Sequence, residues 1–314
     1  MKLIYTILLT LVPLALLAQQ DPMFSKFHYD NSAFFNPAST GRSNLWTATL
    51  MHRAQWVSLE GAPRTTAFTF DGPIQSERAG LGFSFFYDQI GFERNTGLYA
   101  NYAYRFPTGD NSWLSMGIRA GANYVGADFS KITTPEGTLI DPLYAAEPST
   151  LIPKVGFGVF WNTERAYLGV SVPAFAAISP DDNFTFEDDG IYLSKHYYLT
   201  GGYVFDLGSS DFQVKPFTFI RYHKSAPLQV DLAAQFWFRE LFSVGAMWRM
   251  DDAIGAMLEV PIGQSLSVSY AYDYTTSQIR KYAQGAHEII LSYAIIPKST
   301  AIPSINRLPG MRRF

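Results

Sequence analysis

The sequence contains no cysteine, and only 16% of its 314 residues are charged. The absence of cysteine excludes disulfides, thiolate metal sites, cysteine nucleophiles and a lipidated N-terminal cysteine. With 24 Lys and Arg against 27 Asp and Glu, the chain lacks the basic excess with which nucleic-acid-binding proteins neutralise phosphates. No stretch beyond residue 20 approaches about 18 continuous apolar residues, so no transmembrane helix is predicted.

Aromatic residues, in contrast, are abundant. They make up 16% of the chain, while the mean hydropathy is only −0.01. This composition excludes a disordered chain, which would be rich in charge and poor in aromatics. A chain that is rich in aromatics, poor in charge and average in hydropathy is typical of a membrane β-barrel.

The first residues predict a cleaved secretory signal. Met1 and Lys2 form a short positive region, and Leu3–Leu17 is an apolar run that is followed by Ala18. The run is too short to span a bilayer comfortably, and polar residues follow it at once. An uncleaved anchor helix is the alternative. The mature chain is therefore expected to leave the cytoplasm.

The rest of the chain alternates between apolar and polar residues with a period of two. In 98–106, Leu98, Tyr102 and Phe106 share one face, whereas Asn101 and Arg105 lie on the other. Apolar faces that end in aromatic residues are typical of lipid-facing strands, and small or polar residues on the other face suit a barrel lumen. The pattern predicts about fourteen strands, most of them long enough to cross a bilayer. They are 44–53, 64–71, 79–87, 95–106, 113–124, 154–161, 166–172, 195–206, 212–221, 228–238, 242–250, 253–260, 265–274 and 286–294.

The connections alternate in length, as in outer-membrane barrels, where short periplasmic turns oppose long outer loops. The fold class is therefore predicted as all-β: a transmembrane antiparallel β-barrel of about 14 strands, with 12–16 allowed because the longest loops could contain more. The longer connections are 54–63, 88–94, 125–153, 173–194 and 275–285. The predicted regions are a signal peptide (1–18), a periplasmic N-terminal segment or plug (19–43), the barrel (44–294) and a basic periplasmic tail (295–314).

No catalytic, metal or cofactor site is predicted, so the protein is not expected to be an enzyme. The five histidines form no metal-binding spacing, Gly80-Leu81-Gly82 lacks the third glycine of a dinucleotide loop, and no G-x-S-x-G elbow occurs. The acidic stretch 181–189 is dense in oxygen ligands but does not match an EF-hand loop. A solvated loop and a calcium site both remain open there.

The segment 19–43 is too aromatic for a free periplasmic tail. We expect it to fold against the periplasmic mouth or partly into the lumen, with a turn before the first strand. The residues predicted to make these contacts are Phe24, Phe27, Phe35, Asn36 and Pro37.

The predicted outer loops 53–64 and 88–95 combine arginines, acids and a tryptophan. One interpretation is that these charges pair and stiffen the rim. The other is a docking surface, because Arg and Trp contribute disproportionately to binding energy. The residues alone leave both open. The candidate partner-binding residues are Arg53, Gln55, Trp56, Glu60, Arg64, Asp88, Glu93 and Arg94.

Several short motifs are distributed along the chain. The most specific is R-x-Q-W-x-x-x-E-G-A-P-R-T at Arg53–Thr65. The others are Gln20-Asp21-Pro22-x-Phe24-Ser25, Phe35-Asn36-Pro37-Ala38-x-x-Gly41, Gly80-Leu81-Gly82, Asp88-x-Ile90-Gly91, Tyr102-Ala103-Tyr104, Tyr272-Asp273-Tyr274-Thr275-Thr276-Ser277 and Gly285-Ala286-His287-Glu288-Ile289. Together they resemble the PorP/SprF family of type IX secretion system outer-membrane proteins over residues 20–293. Family members usually have a small polar residue at the position of Ala286, which is a minor departure.

The resemblance implies an integral outer-membrane barrel of a Bacteroidota-type cell that assists export or surface anchoring of a large secreted protein, often an adhesin involved in gliding. It implies three partners: a secreted surface protein with a type IX C-terminal domain, other type IX components and outer-membrane lipid. It supplies no established catalytic set. From the missing motifs and the charge balance, no cofactor and no nucleic-acid partner are expected. A diffusion channel or hydrophobic-solute transporter is the alternative function, because a barrel of this size can enclose a lumen.

Overall fold

The computed structural model describes residues 24–43, 45–74, 78–128, 149–179, 184–187, 193–208 and 211–296. The predicted signal peptide lies outside these residues. So do nearly all of the basic tail and most of the acidic stretch 181–189, with its two interpretations as a solvated loop or a calcium site.

The described chain forms a closed antiparallel β-barrel of fourteen strands. Each strand pairs with the next, and the last pairs with the first, which closes the barrel. The predicted fold class is confirmed. The strands are β1 (Trp46–Ala54), β2 (Arg64–Ile74), β3 (Ala79–Ile90), β4 (Glu93–Gly109), β5 (Ser112–Ala127), β6 (Ser149–Thr163), β7 (Ala166–Ile178), β8 (Tyr197–Tyr203), β9 (Phe212–His223), β10 (Ala226–Phe238), β11 (Phe242–Arg249), β12 (Ala253–Ile262), β13 (Leu266–Thr275) and β14 (Ala286–Ile295).

Apolar side chains face outward along the strands, and small or polar side chains face the lumen. In β4, Leu98, Tyr102 and Phe106 are exposed, whereas Asn101 and Arg105 are buried. This arrangement is the reverse of a soluble barrel, whose apolar residues would face inward. The outward face is the one that meets lipid in a membrane barrel.

Strand β7 extends further than predicted. It was expected to end at residue 172 but runs on to Ile178, past a register shift opposite Val155 and Phe157 of β6. Pro173 lies in this irregular stretch, and its backbone occupies the space above Gly156. A bulge interrupts the alternation of faces, which is why the period-two pattern does not continue through it. The shortest barrel strand is instead β8, with seven residues.

Two short strands lie at the rims of the barrel. Phe184–Thr185 pairs with the end of β7, and Phe205–Asp206 pairs with the start of β9. Each has only two residues, so neither changes the number of strands that cross the barrel. No helix among the described residues is long and apolar enough to cross a membrane.

The connections divide between two ends. The long-loop end carries the connections 55–63 and 276–285, together with the tighter turns 91–92, 224–225 and 250–252. Strands β5 and β7 also end there. The opposite, short-turn end carries the start of β1 and the end of β14. This division follows the predicted alternation of long and short connections.

Candidate functional site

The lumen segment, defined here as Phe24–Ser43, lies inside the barrel. It forms α1 (Phe27–Asp30), α2 (Ser32–Phe35) and a 3-10 turn (Pro37–Ser39). Hydrogen bonds, ion pairs, ring contacts and close backbone approaches connect it with every one of the fourteen strands. A segment can touch all strands of a closed barrel only from within.

The segment runs along the barrel axis. Gly41 donates its backbone N–H to Asp71 near the end of β2, at the short-turn end. Ser25 contacts Arg53 and Asp273. These two residues lie near the ends of β1 and β13, at the long-loop end of the barrel. The chain therefore enters β1 from the short-turn end, while its first described residues lie toward the long-loop end.

Asn36 attaches the segment to the wall. Its side-chain Nδ2 donates to the carbonyl oxygens of Val159 and Val170, at 3.0 and 3.2 Å. Those two residues are directly paired across β6 and β7. The other amide atom, Oδ1, accepts from the backbone N–H of Ala38 at 3.0 Å. All polar atoms of this buried side chain are thus used, which fixes the turn at Pro37.

Glycines in the wall make room for this turn. A Cβ added to Gly117 of β5 would overlap the backbone of Ala38, and one added to Gly158 of β6 would overlap Asn36. At the short-turn end, a Cβ on Gly80 would overlap the backbone of Thr40. The segment lies against the barrel backbone itself at these positions, an approach that only glycine permits.

The aromatic residues of the segment form an apolar core in the lumen. Phe24, Phe27, Phe34 and Phe35 have ring centroids 5.0–6.2 Å apart. Phe35 also meets Phe219 of β9 at 5.3 Å. Since the outside of the barrel is apolar, this cluster is the interior hydrophobic core of the molecule. The residues predicted as plug or periplasmic contacts all lie within this buried segment.

A buried ionic cluster holds the segment near the long-loop end. Glu288 of β14 accepts three successive backbone N–H groups, from Ser25, Lys26 and Phe27, at 2.7–2.9 Å. Arg53 of β1 donates to Ser25 Oγ at 2.5 Å and pairs with Asp273 at 2.7 Å and with Glu288 at 3.4 Å. The barrel wall thereby caps the start of α1 with a carboxylate.

The cluster continues across the lumen to β10, β11 and β12. Arg249 pairs with Asp231 at 3.0 Å and donates to the carbonyl oxygen of Phe24. Lys26 pairs with Glu259 at 2.6 Å, and both side chains are almost fully buried. Buried charges are tolerated when they are paired and hydrogen-bonded, as they are here. Within the described residues, no three His, Asp or Glu side chains gather into a group that could hold a metal.

The residues predicted to bind a partner divide between lumen and rim. Arg53, Gln55 and Asp88 are buried, Trp56 and Arg94 are half-buried, and Glu60, Arg64 and Glu93 are exposed. The prediction from sequence placed Arg53 in the outer loop 53–64. This placement is wrong: Arg53 shares the inward face of β1 with Met51 and pairs with Asp273 and Glu288. Asp88 also faces inward and accepts a hydrogen bond from Thr65 of β2.

The loop 55–63 is rigidly held at the long-loop end. Val57 donates its N–H to the carbonyl of Gly285 at 3.0 Å and accepts from Gln284 at 2.8 Å. Gly91 donates to the carbonyl of Gly61 at 2.8 Å. Trp56 and Ser58 adopt left-handed backbone conformations, with φ of 50° and 81°. Such conformations are uncommon for residues other than glycine and occur where the surrounding structure imposes them.

Sequence reasoning missed two groups of residues. The first is an exposed part of the loop 276–285, in which Tyr282 is 73% exposed beside Arg280 and Lys281. The loop adjoins 55–63 only because β14 pairs with β1, which no local pattern reveals. The second group is the charged residues of the lumen. The signal that could have found them is a charged residue at an inward-facing position of a strand with alternating apolar and polar residues. They are Asp231, Arg249, Glu259, Asp273 and Glu288.

Comparison with solved structures finds several similar chains. Among solved structures, the chain is similar to the CymD monoaromatic hydrocarbon channel, with a TM-score of 0.51 and 12% identity over 85% of this chain and 93% of that one. It also matches the TodX deltaS2S3 mutant monoaromatic hydrocarbon channel (TM-score 0.48, 9% identity, 84% and 94% covered). A third match is the outer membrane protein Omp33 of Acinetobacter baumannii (TM-score 0.43, 8% identity, 81% and 100% covered). At such low identity, the likeness to CymD shows the fold alone.

Sequence comparison identifies the family. No curated protein matches the chain. The family model described as type IX secretion system membrane protein PorP/SprF matches residues 16–293, nearly the whole chain. The protein therefore belongs to the PorP/SprF family.

Proposed function

We propose that this protein is a non-enzymatic outer-membrane barrel that assists the export or surface anchoring of a secreted, adhesin-like partner with a type IX C-terminal domain. Family membership supports a place among type IX secretion components, and the barrel fold supports an outer-membrane location. The observation that carries the partner role is the combination of an occupied lumen with a rigid, exposed rim. A barrel built this way offers a surface at its outer end.

The lumen segment weighs against the alternative function, a diffusion channel or hydrophobic-solute transporter. Phe27 and Lys26 are fully buried, and the segment reaches every strand of the wall. A solute would have to displace packed aromatic rings and paired charges to pass. We infer that the segment acts as a plug that closes the barrel at rest.

Planar-bilayer recording distinguishes the two functions. We expect the intact protein to insert without a steady open conductance, because the segment fills the lumen. Removal of residues 24–35 should either produce conductance or destabilise the barrel, since the aromatic core and the capped α1 are lost. A steady open pore in the intact protein would favour the transporter. A shortened barrel with unchanged stability and no conductance would contradict the assignment of the segment as a plug.

The proposed partner-binding surface is the exposed rim around loop 55–63. Trp56 is half-buried, Glu60 and Arg64 are exposed, and hydrogen bonds to neighbouring loops hold the loop in place. A pre-ordered loop loses little conformational freedom on binding, which favours affinity. Glu93 and Arg94 continue this rim at β4, where Arg94 pairs with Asp128 at 2.8 Å. Arg53, Gln55 and Asp88 support the rim from within.

Trp56→Ala tests this surface. The barrel should assemble and keep its heat-modifiable migration, which is the difference in SDS-gel migration between the folded and the heat-unfolded barrel. Surface display of the partner should fall. A truncated hot-spot aromatic typically costs about 2 kcal/mol of binding, roughly thirtyfold in affinity. Trp161→Ala is the matched control, because Trp161 faces outward on β6 away from this rim. Failure of Trp56→Ala to assemble would make the residue structural, and an assembled variant with normal display would exclude it from docking.

A further inference from the structure

Three outer loops lie directly above the buried ionic cluster. Arg249 is the last residue of β11 and is followed by the turn 250–252. Arg53 lies three positions before Trp56, and Glu288 lies three positions after Gly285. The residues that hold the lumen segment thus sit at the bases of the loops 55–63, 250–252 and 276–285, which we call the outer platform.

The platform is continuous. Besides the bonds of Val57 to the loop 276–285, the backbone N–H groups of Thr276 and Ser277 donate to the carbonyl of Asp252, at 2.7 and 3.2 Å. The Asp252 carboxylate lies 3.7 Å from Arg249 Nη1. A displacement of any of these loops therefore acts on the others.

The side chains beneath the platform also hold the segment. Arg249 reaches Asp252 with Nη1 and donates to the carbonyl of Phe24 with Nη2. Arg53 reaches Ser25 Oγ with Nη1 and Asp273 with Nη2. Neither arginine can change its position at the base of the platform without changing its contact with the segment. Contiguous networks of packed side chains and ion pairs can carry coupling between sites.

The other half of the segment is held by different contacts. Asn36 bonds to backbone carbonyls of β6 and β7, and Ala38 lies against Gly117. None of these contacts involves the ionic cluster. Between the two halves, Asn31 has a non-helical backbone that separates α1 from α2, with φ −123° and ψ 65°. The segment thus has an ionic upper half, Phe24–Asn31, and an anchored lower half, Ser32–Ser43.

We propose that the outer platform and the upper half of the lumen segment form one coupled unit, joined by Arg53 and Arg249. A partner that docks on the platform shifts these arginines and loosens Phe24–Asn31, while the lower half stays fixed. This inference rests on the proposed partner-binding role of the rim. Because these contacts are present in the free barrel, the coupling can be measured on the purified protein without the partner.

The absence of cysteine allows single-cysteine reporters. Tyr29→Cys reports on the upper half and Ser39→Cys on the lower half, since both positions are buried. Asp252→Asn, which weakens the platform contact of Arg249, should raise the maleimide labelling rate at position 29 by about tenfold, within the range of coupled sites. The rate at position 39 should change less than twofold. Arg165→Ala, which breaks an ion pair with Asp206 at the short-turn end, is the control and should change neither.

The reverse direction uses a reporter on the platform. Ser25→Ala removes the hydroxyl between Arg53 and Asp273 but keeps the backbone bonds to Glu288. If the platform and the upper half form one coupled unit, Val57→Cys should be labelled faster in this background. Arg53→Lys keeps the positive charge but loses the planar guanidinium that contacts Ser25 and Asp273 together. It should also raise the labelling rate at position 29.

Unchanged labelling at position 29, or an equal rise at positions 29 and 39, would overturn the coupling. Unchanged labelling of Val57→Cys in the Ser25→Ala barrel would overturn it too. Heat-modifiable migration of each variant identifies barrels that fail to fold. The test needs no partner, so its failure leaves the proposed function standing. Normal partner display in Trp56→Ala would count against the docking surface alone.

Discussion

Replacing Arg53 with alanine should destabilise the folded barrel by about 3–5 kcal/mol, the usual cost of removing one partner from a buried charge pair. The variant leaves Asp273 and Glu288 buried without the guanidinium that lies 2.7 and 3.4 Å from them. It also removes the donor to Ser25, so the lumen segment loses a contact at its first turn. Urea unfolding in lipid vesicles, followed by tryptophan fluorescence, measures the change.

Arg94→Ala is the matched control for this prediction. The Arg94 side chain is 40% exposed and pairs with Asp128 at the rim, so its loss should cost at most about 1 kcal/mol. Arg53→Ala combined with Asp273→Asn should be less destabilising than the sum of the two single changes, because the pair is lost together. An Arg53→Ala barrel as stable as the Arg94→Ala barrel would show that the ionic cluster does not hold the segment.

The second large effect is expected from one methyl group in the barrel wall. The new Cβ in Gly158→Ala would overlap the Asn36 side chain, and in Gly117→Ala it would overlap the backbone of Ala38. The Ala38 backbone cannot move aside, and three hydrogen bonds hold the Asn36 side chain in place. Overpacking here should therefore cost about 1–3 kcal/mol or more in each variant. Both changes should lower the temperature at which heat-modifiable migration is lost.

Gly201→Ala provides the same chemical change where space exists. A Cβ at Gly201 would meet its nearest atom at 3.6 Å, an ordinary contact. Its stability should therefore stay close to that of the wild type. Equal stability of Gly158→Ala, Gly117→Ala and Gly201→Ala would mean that the segment does not pack against the wall as described.

The sequence pattern was sufficient for most of the strands because the alternation of apolar and polar residues is a local property of each strand. Period-two alternation places Leu98 and Tyr102 outward and Asn101 inward, and the structure agrees. It failed where a bulge broke the period, at Pro173 in β7. The ends of β8 were also less regular than predicted, since this strand spans Tyr197–Tyr203 and the predicted one spanned 195–206.

The interior was harder to predict, because its contacts join distant parts of the chain. Ser25 meets Asp273 and Glu288, which lie 248 and 263 residues away. The alternation in β1 would have placed Arg53 inward with Met51, but its position beside the 54–63 loop favoured the rim. Only the closure of β14 onto β1 brings Glu288 next to Arg53.

The most direct measurement of the proposed function is the surface proteome of cells in which this gene is deleted. Protease shaving of intact cells, followed by quantitative mass spectrometry, compares them with the parent and with cells that express Trp161→Ala. The proposal predicts that one large protein with a type IX C-terminal domain is lost from the surface and accumulates inside the cell or in the medium. Other outer-membrane proteins should remain at parental levels. An unchanged set of surface proteins, together with a steady conductance of the purified barrel, would contradict it.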